Sequence, residues 1–380
     1  MNNQRWMSQN FFTFYMTWGI FLPYWTGFLI EAKGLTVAEA SLIMSFGLVA
    51  RGISTMFAFP YISSKWSSKR VVDILAAASI ITVLFFIPAS SFISLFMVTL
   101  LFSFCFPALM PAIDSMAGIL VQHGQLHYGK SRSYGSVGFV VMVLIVSVIT
   151  GKFGDSTIAW LLLGGLILLF ALNMRQAPAI LLEKPLRAKA GNLSMKQLFK
   201  TPNFLIVLLI AILLQGAHAS YYSYGYIYLQ ELHVPKYYIG LIINIGVFVE
   251  ILFFAQSDRF FGQWKPAALL TIAAIGSTVR WLMVALIPTI PVFILSQTLH
   301  AVSFALAHFA VVLFFTQHLP KEQIPNAQGM YNAFAMSWST AVLTLLGGYL
   351  YEIEPRFAFL GMVVCTIPAL VLALYLNKKK

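Results

Sequence analysis

Residues 156–174 read STIAWLLLGGLILLFALNM, a stretch that contains no charged side chain. A helix needs about 20 mainly apolar residues to cross the hydrocarbon core of a bilayer, so this stretch is long enough to span a membrane. The rest of the chain has a similar composition: 59% of its 380 residues are hydrophobic and 9% are charged, against about 25% charged in a typical soluble domain. The composition therefore excludes a water-soluble fold and indicates an all-α integral membrane protein.

Apolar stretches of this kind, bounded by charges or turn residues, recur along the whole chain. The first is expected to be retained as a span, because it is rich in Trp and Tyr and lacks a small-residue cleavage site. The loops between the stretches are short, so we expect no soluble catalytic domain and no enzyme activity. We predict twelve transmembrane helices, at 9–30, 38–62, 71–89, 91–117, 133–151, 156–174, 202–229, 237–256, 267–287, 290–316, 326–350 and 356–376.

The basic residues indicate how these helices are oriented. If both termini are cytoplasmic, the outer loops hold only Lys33, Lys152, Lys236 and Arg356. Because cytoplasmic loops are enriched in Lys and Arg, this asymmetry predicts a multi-pass protein of the bacterial inner (cytoplasmic) membrane with both termini inside. The net charge of +12 then reflects loops beside anionic lipid and not a nucleic-acid partner. The inner side would hold Arg5, Lys65, Lys69, Arg70, Lys130, Arg132, Arg175, Lys184, Arg187, Lys189, Lys196, Lys200, Arg259, Lys265, Lys321, Lys378, Lys379 and Lys380.

A polar stretch at 175–201 divides the spans six and six. It is the longest polar segment and contains Pro178, Pro185 and Gly191. We interpret it as a cytoplasmic linker. The predicted organisation is an N-terminal six-helix half at 1–174, the linker, and a C-terminal six-helix half at 202–380.

The two halves share a weak internal repeat. Aligning 41–51 with 240–250 superimposes Leu, Ile and Gly positions and places Arg51 on Glu250. A second pair, Ile87-Pro88 and Ile287-Pro288, recurs at nearly the same offset. Transporters built from such repeats bind substrate near the bilayer midplane, between the halves.

Several motifs identify a family resemblance. Residues 128–139, YGKSRSYGSVGF, resemble the loop-to-fifth-helix signature of the sugar and nucleoside proton symporter branch of the major facilitator superfamily. Residues 47–51 (GLVAR), 214–222 (LQGAHASYY) and 279–281 (VRW) resemble the 3-phenylpropionate permease subgroup, and the resemblance extends along the whole chain. It implies a monomer with the major facilitator fold that works by alternating access. The implied activity is proton-coupled uptake of a small organic acid, such as 3-phenylpropionate or a related aromatic carboxylate.

The chain departs from the family pattern at three places. The loop motif at 63–70 has lost its acidic residue, although its second copy keeps Asp258 and Arg259. In span ten the Leu-His pair ends at His300, but Ser303 stands where the sugar symporters carry a carboxylate. The proton site of the sugar symporters is therefore incomplete. A phosphate-loop pattern at 124–131 follows a membrane helix instead of a strand, so we attribute it to the symporter loop signature.

The candidate charged residues inside predicted spans are Arg51, Asp114, Glu250 and Arg280. A charge at the bilayer centre costs about 2.5–3.5 kcal/mol on insertion scales, so each should face a partner or a water-filled cavity. We predict that Arg51 and Arg280 attract the substrate carboxylate and that Glu250 carries the coupled proton. Asp114 and His300 are the further candidates for proton coupling. The alternative for each is a salt bridge that only locks helices together.

Histidines and aromatic residues supply the remaining candidates. His300 and His308 lie eight positions apart in span ten and should share one helix face. The amphipathic residues of span seven could line an aromatic-binding cavity, and Tyr24 and Trp25 of span one could contribute, although an interfacial belt is the alternative. Tyr226 and Tyr228, near the outer end of span seven, are assigned to such a belt. The predicted cavity residues of span seven are His218, Tyr221 and Tyr222.

No metal or other cofactor is expected. Cys105 and Cys365 lie far apart in apolar runs, and the acidic residues are scattered. The expected partners are a small-molecule substrate, protons and the lipid bilayer. Other functions stay open at this point: a proton symporter for a sugar or nucleoside, or an exporter of amphipathic compounds. A membrane enzyme would need clustered carboxylates, and a receptor-like protein would not require buried charges in both halves.

Overall fold

The computed structural model describes residues 3–183, 195–320 and 323–378. Part of the predicted linker and several predicted inner-side charges lie outside the described residues. These are Pro185, Gly191, Lys184, Arg187, Lys189, Lys321, Lys379 and Lys380, together with the side chains of Lys196 and Asp258.

The described residues form long helices and contain no strand, which confirms the predicted fold class. Each predicted span corresponds to one helical segment. By length and composition, nine of the described helices could cross a membrane, and Thr157–Asn173 is a shorter apolar helix. The segments are α1 (Asn3–Gly27, continued by a π turn at Phe28–Ala32), α2 (Val37–Ser63), α3 (Ser68–Phe86), α4 (Phe92–Gln122), α5 (Tyr128–Phe153), α6 (Thr157–Asn173), α7 (Phe204–Glu231), α8 (Lys236–Phe261), α9 (Pro266–Leu286), α10 (Ile290–His318), α11 (Asn326–Ile353) and α12 (Pro355–Lys378).

Local sequence signals set the helix ends. At the start of α2 the Thr36 hydroxyl accepts a hydrogen bond from the Glu39 amide at 3.2 Å, while the Glu39 carboxylate accepts one from the Thr36 amide at 2.9 Å. This capping box satisfies two amide donors that a helix otherwise leaves unpaired. At the other end of a helix, α5 stops at Gly154, whose φ of 82° is a conformation that L side chains rarely adopt.

Backbone contacts divide the chain into two compact units. Unit 1 comprises Met1–Ala190 and Pro235–Gly240, and unit 2 comprises Gly191–Val234 and Leu241–Lys380. Unit 1 therefore contains α1 to α6 and the first residues of α8, where Lys236 forms an ion pair with Asp155. The division at a 175–201 linker stays a prediction.

Large apolar side chains are exposed on the helices of both units. Val148 in unit 1 is 52% exposed, and Val342 and Val364 in unit 2 are 67% and 71% exposed. Soluble monomers rarely expose large contiguous apolar patches, whereas lipid tails accommodate such side chains. Each unit instead buries a number of polar side chains. The candidate site lies among those of unit 2.

Helices α1 and α5 pack against each other along their length in unit 1. A Cβ atom added at Gly138 would lie 2.3 Å from the backbone oxygen of Phe12, and one added at Gly19 would lie 2.9 Å from the backbone oxygen of Phe139. Small residues at membrane helix interfaces let two backbones approach closely. The glycines on both helices therefore set the distance between α1 and α5.

We expect Gly138→Ala to destabilise unit 1 by about 1–3 kcal/mol, because the added methyl group overlaps the backbone of α1. Gly164→Ala in α6 is the matched control, since a Cβ there meets nothing within 4 Å. The measurement is thermal unfolding of the purified protein in detergent. Gly138→Ala should melt several degrees below the wild type and Gly164→Ala at or above it. Equal melting temperatures for the two variants would contradict this packing.

Candidate substrate-binding site

Two helices of unit 2 are irregular where the predicted site residues lie. The regular helix of α7 stops at Gly216 and resumes at Ala219, with His218 in the break. In α10 a π turn at Ala301–Leu306 begins directly after His300. Such π turns are frequent at functional sites, and transporters commonly build binding sites from broken helices. The backbone thus places both histidines at discontinuities inside the membrane-spanning region.

A hydrogen-bonded group, which we name the Arg280 cluster, joins four helices of unit 2. Arg280 on α9 lies with its Nη1 atom 2.8 Å from His300 Nδ1 and 3.0 Å from Ser303 Oγ, both on α10. His300 Nε2 lies 3.2 Å from Glu250 Oε2 on α8. His218 Nε2 on α7 lies 3.1 Å from Ser303 Oγ. The cluster therefore consists of these five residues, and Arg280, Ser303 and His218 are fully buried.

Hydrogen-bond chemistry assigns the tautomer of His300. A guanidinium can only donate, so Nδ1 of His300 must accept the bond from Arg280 and carries no proton. The proton of the neutral ring then sits on Nε2, where it is donated to the carboxylate of Glu250. His300 therefore bridges a buried cation and an anion with one neutral ring.

His218 has the opposite tautomer. Its Nδ1 lies 2.9 Å from the backbone oxygen of Leu214, which can only accept, so Nδ1 carries the proton. Nε2 then accepts a hydrogen bond from the hydroxyl of Ser303, which itself accepts one from Arg280. Two chains of hydrogen bonds thus begin at the Arg280 donor. One runs through His300 to Glu250, and the other runs through Ser303 to His218.

The guanidinium of Arg280 is not fully satisfied. Among the described residues its Nε atom has no hydrogen-bond acceptor, and Nη2 lies at 3.5 Å from Gln297 Oε1. A buried donor without an acceptor costs about 1–3 kcal/mol. Since Nε and Nη2 form one edge of the guanidinium, this edge matches the two oxygens of a carboxylate.

Aromatic rings lie close to the guanidinium and to His218. The Arg280 guanidinium carbon lies 4.8 Å from the Tyr221 ring centroid and 4.5 Å from that of Trp281. The His218 ring stacks on Tyr222 at 6.0 Å between centroids. Rings at these distances stabilise the cation through their π faces. Unit 2 thus places the buried positive charge of Arg280 against the aromatic rings of Tyr221 and Trp281.

His300 and His308 share one face of α10, as predicted. The ring of Phe304 lies between them, 5.1 Å from His300 with an interplanar angle of 3° and 6.4 Å from His308 with an angle of 9°. His308 Nδ1 lies 2.9 Å from the hydroxyl of Tyr331 on α11. No group of three or more potential metal ligands occurs in the part of the chain that the structure describes.

Unit 1 holds the other predicted charged residues. The Arg51 guanidinium lies 5.2 Å from the Trp18 ring centroid. Asp114 Oδ1 accepts a hydrogen bond from the Tyr128 hydroxyl at 3.1 Å, and Arg132 acts on Asp114 electrostatically. Sequence reasoning considered Arg132 only as an inner-side charge. Arg132 lies inside the YGKSRSYGSVGF motif, and that position was the signal that could have identified it as a neighbour of Asp114.

Tyr24 and Trp25, the residues of span one that could contribute to an aromatic-binding cavity, are buried inside unit 1. In unit 1, Tyr24 donates a hydrogen bond to the Val143 carbonyl at 2.8 Å, and the Trp25 ring lies 4.7 Å from Phe28. Their role in substrate binding stays a prediction.

Tyr226 and Tyr228 are not an interfacial belt, so that prediction is wrong. Each is 2% exposed, and the Tyr228 hydroxyl donates to the Val284 carbonyl at 3.1 Å. The reason is that the outer end of α7 packs inside unit 2, where Tyr228 also contacts the ring of Phe359 on α12 at 4.7 Å.

Comparison with known sequences extends over nearly the whole chain. The model of the MFS_1-like family matches residues 4–361. A probable 3-phenylpropionic acid transporter of Escherichia coli (strain K12) is 30% identical over 376 residues, which cover 98% of this chain and 97% of the relative. A maltose permease of Geobacillus stearothermophilus is 26% identical over 382 residues, covering 97% and 93% of the two chains.

Solved structures share the fold. The nucleoside transporter NupG superimposes with a TM-score of 0.84 at 17% identity, covering 100% of both chains. A POT family transporter superimposes with a TM-score of 0.76 at 12% identity, covering 98% of this chain and 94% of its own. These likenesses confirm the predicted transporter fold.

The hydrogen-bond directions predict opposite tautomers for the two buried histidines. In ¹⁵N NMR spectra of the protein near neutral pH, His300 should carry its proton on Nε2 and His218 on Nδ1. His127, which is exposed, serves as the reference ring. The assignment would be overturned by a protonated Nδ1 on His300, because Arg280 could then no longer donate to that atom.

Proposed function

The chain belongs to the MFS_1-like family of transporters, and we propose that it takes up a small aromatic carboxylate, such as 3-phenylpropionate, together with a proton. The observation that carries the proposal is the buried guanidinium of Arg280, whose Nε donor has no acceptor among the described residues and which lies against the rings of Tyr221 and Trp281. The name of the relative at 30% identity, a probable 3-phenylpropionic acid transporter, supports the same class of substrate.

The substrate carboxylate would bind the Nε and Nη2 edge of Arg280. There it would supply an acceptor for Nε, which the described residues do not provide, and a second acceptor for Nη2, whose contact with Gln297 is long at 3.5 Å. Paired hydrogen bonds between a guanidinium and a carboxylate are strong and geometrically specific. The phenyl ring would lie against Tyr221, Tyr222 and Trp281. Arg51, which lies over the Trp18 ring in unit 1, is the alternative proposed contact for the anion.

Glu250 would carry the coupled proton. Its carboxylate accepts a hydrogen bond from His300 and thereby faces Arg280 through one imidazole ring. When a substrate carboxylate binds Arg280, Glu250 loses part of the positive charge that stabilises its ionised form. A carboxyl group that loses an opposite charge in a buried place binds a proton more readily. Substrate binding and proton binding would thus favour each other.

Within this proposal the remaining predicted residues have secondary roles. His300 positions Glu250 as a hydrogen-bond donor, and Asp114 is a second candidate carboxylate in unit 1. Alternating access of the two halves would move substrate and proton across a bacterial inner membrane. We also propose cytoplasmic termini and a monomer, in line with the basic loops and the family pattern.

A sugar or nucleoside is the second candidate substrate, because the chain is related to a maltose permease and shares its fold with the nucleoside transporter NupG. Uncharged polyols need many paired donors and acceptors around each hydroxyl group. The Arg280 cluster instead offers one cation with an open edge, and Ser303 replaces a carboxylate at the family's span-ten position. These features favour an anion with an aromatic ring.

We expect Glu250→Gln to abolish accumulation of 3-phenylpropionate while leaving exchange of internal for external substrate intact. The amide keeps a hydrogen-bond acceptor for His300 but cannot gain or lose a proton. The measurement uses proteoliposomes with an acidic outside buffer for accumulation, and equal pH on both sides for exchange. At least a tenfold loss of the accumulation ratio is expected.

Two controls define this result. Glu354→Gln removes a half-buried carboxylate that pairs with Arg356, outside the cluster, and should leave accumulation unchanged. The uncharged analogue 3-phenylpropionamide should not compete for uptake, because it cannot pair with Arg280. Normal accumulation by Glu250→Gln would remove Glu250 from the coupling mechanism, and strong competition by the amide would argue against an anionic substrate.

A further inference from the structure

We infer that the Arg280 cluster accepts one monovalent carboxylate together with one proton, so that the transport cycle moves no net charge. This inference rests on the proposed function and adds the stoichiometry and the charge class of the substrate.

In the empty cluster, a cation and an anion compensate each other through a neutral ring. Arg280 is 0% exposed and Glu250 faces it across His300. Both lie in helices that are long and apolar enough to cross a membrane. Other fixed charges of the protein stay the same when the cluster is loaded, so they cancel in the comparison of the empty and loaded states.

Loading changes this balance in three possible ways. A carboxylate that binds alone neutralises the positive charge of Arg280 and leaves the negative charge of Glu250 uncompensated. A proton alone neutralises Glu250 and leaves Arg280 uncompensated. A carboxylate and a proton together return the cluster to its original charge. Because uncompensated charge inside a membrane is costly, only the empty and the doubly loaded states can pass easily through an occluded state.

The hydrogen bonds limit the cluster to one proton. His300 cannot become doubly protonated while Arg280 donates to its Nδ1 atom at 2.8 Å, because the ring would then place a second proton and a second positive charge against the guanidinium. His218 cannot bind a second proton either, because its Nδ1 proton is donated to the Leu214 carbonyl and its Nε2 accepts a hydrogen bond from Ser303. Ser303 contributes a neutral hydroxyl. The titratable atom left within the cluster is the carboxylate of Glu250.

Three other titratable groups face Glu250 from the helices packed around it. Tyr221 and Tyr222 on α7 and His308 on α10 each interact with its charge. The two tyrosines stay neutral at physiological pH. His308 bonds to Tyr331, outside the cluster, and is therefore the one group whose contribution needs a separate arm in the experiment.

The substrate class follows from the same balance. A monovalent carboxylate restores the original charge with one proton, whereas a dicarboxylate would leave an excess negative charge. A neutral amide or alcohol would leave Arg280 uncompensated once Glu250 is protonated. Benzene rings bearing one short carboxylate chain therefore fit the cluster, and dicarboxylates of the same size do not.

The test measures accumulation of radiolabelled 3-phenylpropionate by the wild-type protein in proteoliposomes. The pH gradient is held constant, acidic outside, while potassium and valinomycin set the membrane potential at 0 or −100 mV. If one net charge moved per cycle, 100 mV would change the accumulation ratio roughly 50-fold, since the potential contributes about 2.3 kcal/mol per charge. We expect the ratio to be unchanged and to follow the pH gradient.

Each outcome either supports or overturns electroneutral transport. An unchanged ratio in the wild type and in His308→Gln supports electroneutral coupling through Glu250. A ratio that rises roughly 50-fold at −100 mV means two protons per anion and overturns the inference, although the proposed function survives. A rise that disappears in His308→Gln identifies His308 as the second proton site and likewise overturns it. If the pH gradient drives no carboxylate uptake, the proposed function fails and the inference fails with it.

Discussion

A guanidinium buried inside a membrane-spanning unit is the constraint on which the rest of this site depends. Arg280 is 0% exposed, so its charge is shielded from bulk solvent. Its charge must be stabilised by groups that other helices provide: Ser303 and His300 on α10, Glu250 on α8 through His300, and the rings of Tyr221 and Trp281. Among the described residues, the Nε donor of the guanidinium is left without an acceptor. We propose that this unsatisfied donor serves anion binding, whereas a salt bridge that only locks helices would not require it.

The backbone of unit 2 is shaped to bring these groups together. Regular helices at α7 and α10 would hold their polar side chains at fixed intervals, but the break at Ala217–His218 and the π turn at Ala301–Leu306 change that spacing locally. The break allows the His218 ring to bond to the Leu214 carbonyl and to Ser303 at the same time. Helix irregularity here serves the polar cluster, while glycine contacts such as Gly138 against Phe12 keep α1 and α5 of unit 1 closely packed.

Hydropathy predicted the helices well, because a membrane span needs a long apolar segment whatever its partners are. The shared face of His300 and His308 also followed from spacing alone. Contacts between helices could not be predicted in the same way. The bridge from Glu250 through His300 to Arg280 joins three helices, and nothing local in any of them encodes it. Their position near the end of span seven also predicted that Tyr226 and Tyr228 lie at the lipid interface, although both side chains are buried inside unit 2.

The central claim is that a carboxylate bound at Arg280 drives protonation of Glu250. Titration calorimetry of 3-phenylpropionate binding, performed in buffers of different ionisation enthalpy, measures the protons taken up per substrate bound. The sign follows from the charges: the anion withdraws positive charge from Glu250, so protons are taken up and affinity rises as pH falls. We expect close to one proton per substrate in the wild type and none in Glu250→Gln. Binding without proton uptake by the wild-type protein, or equal uptake by the variant, would contradict the account.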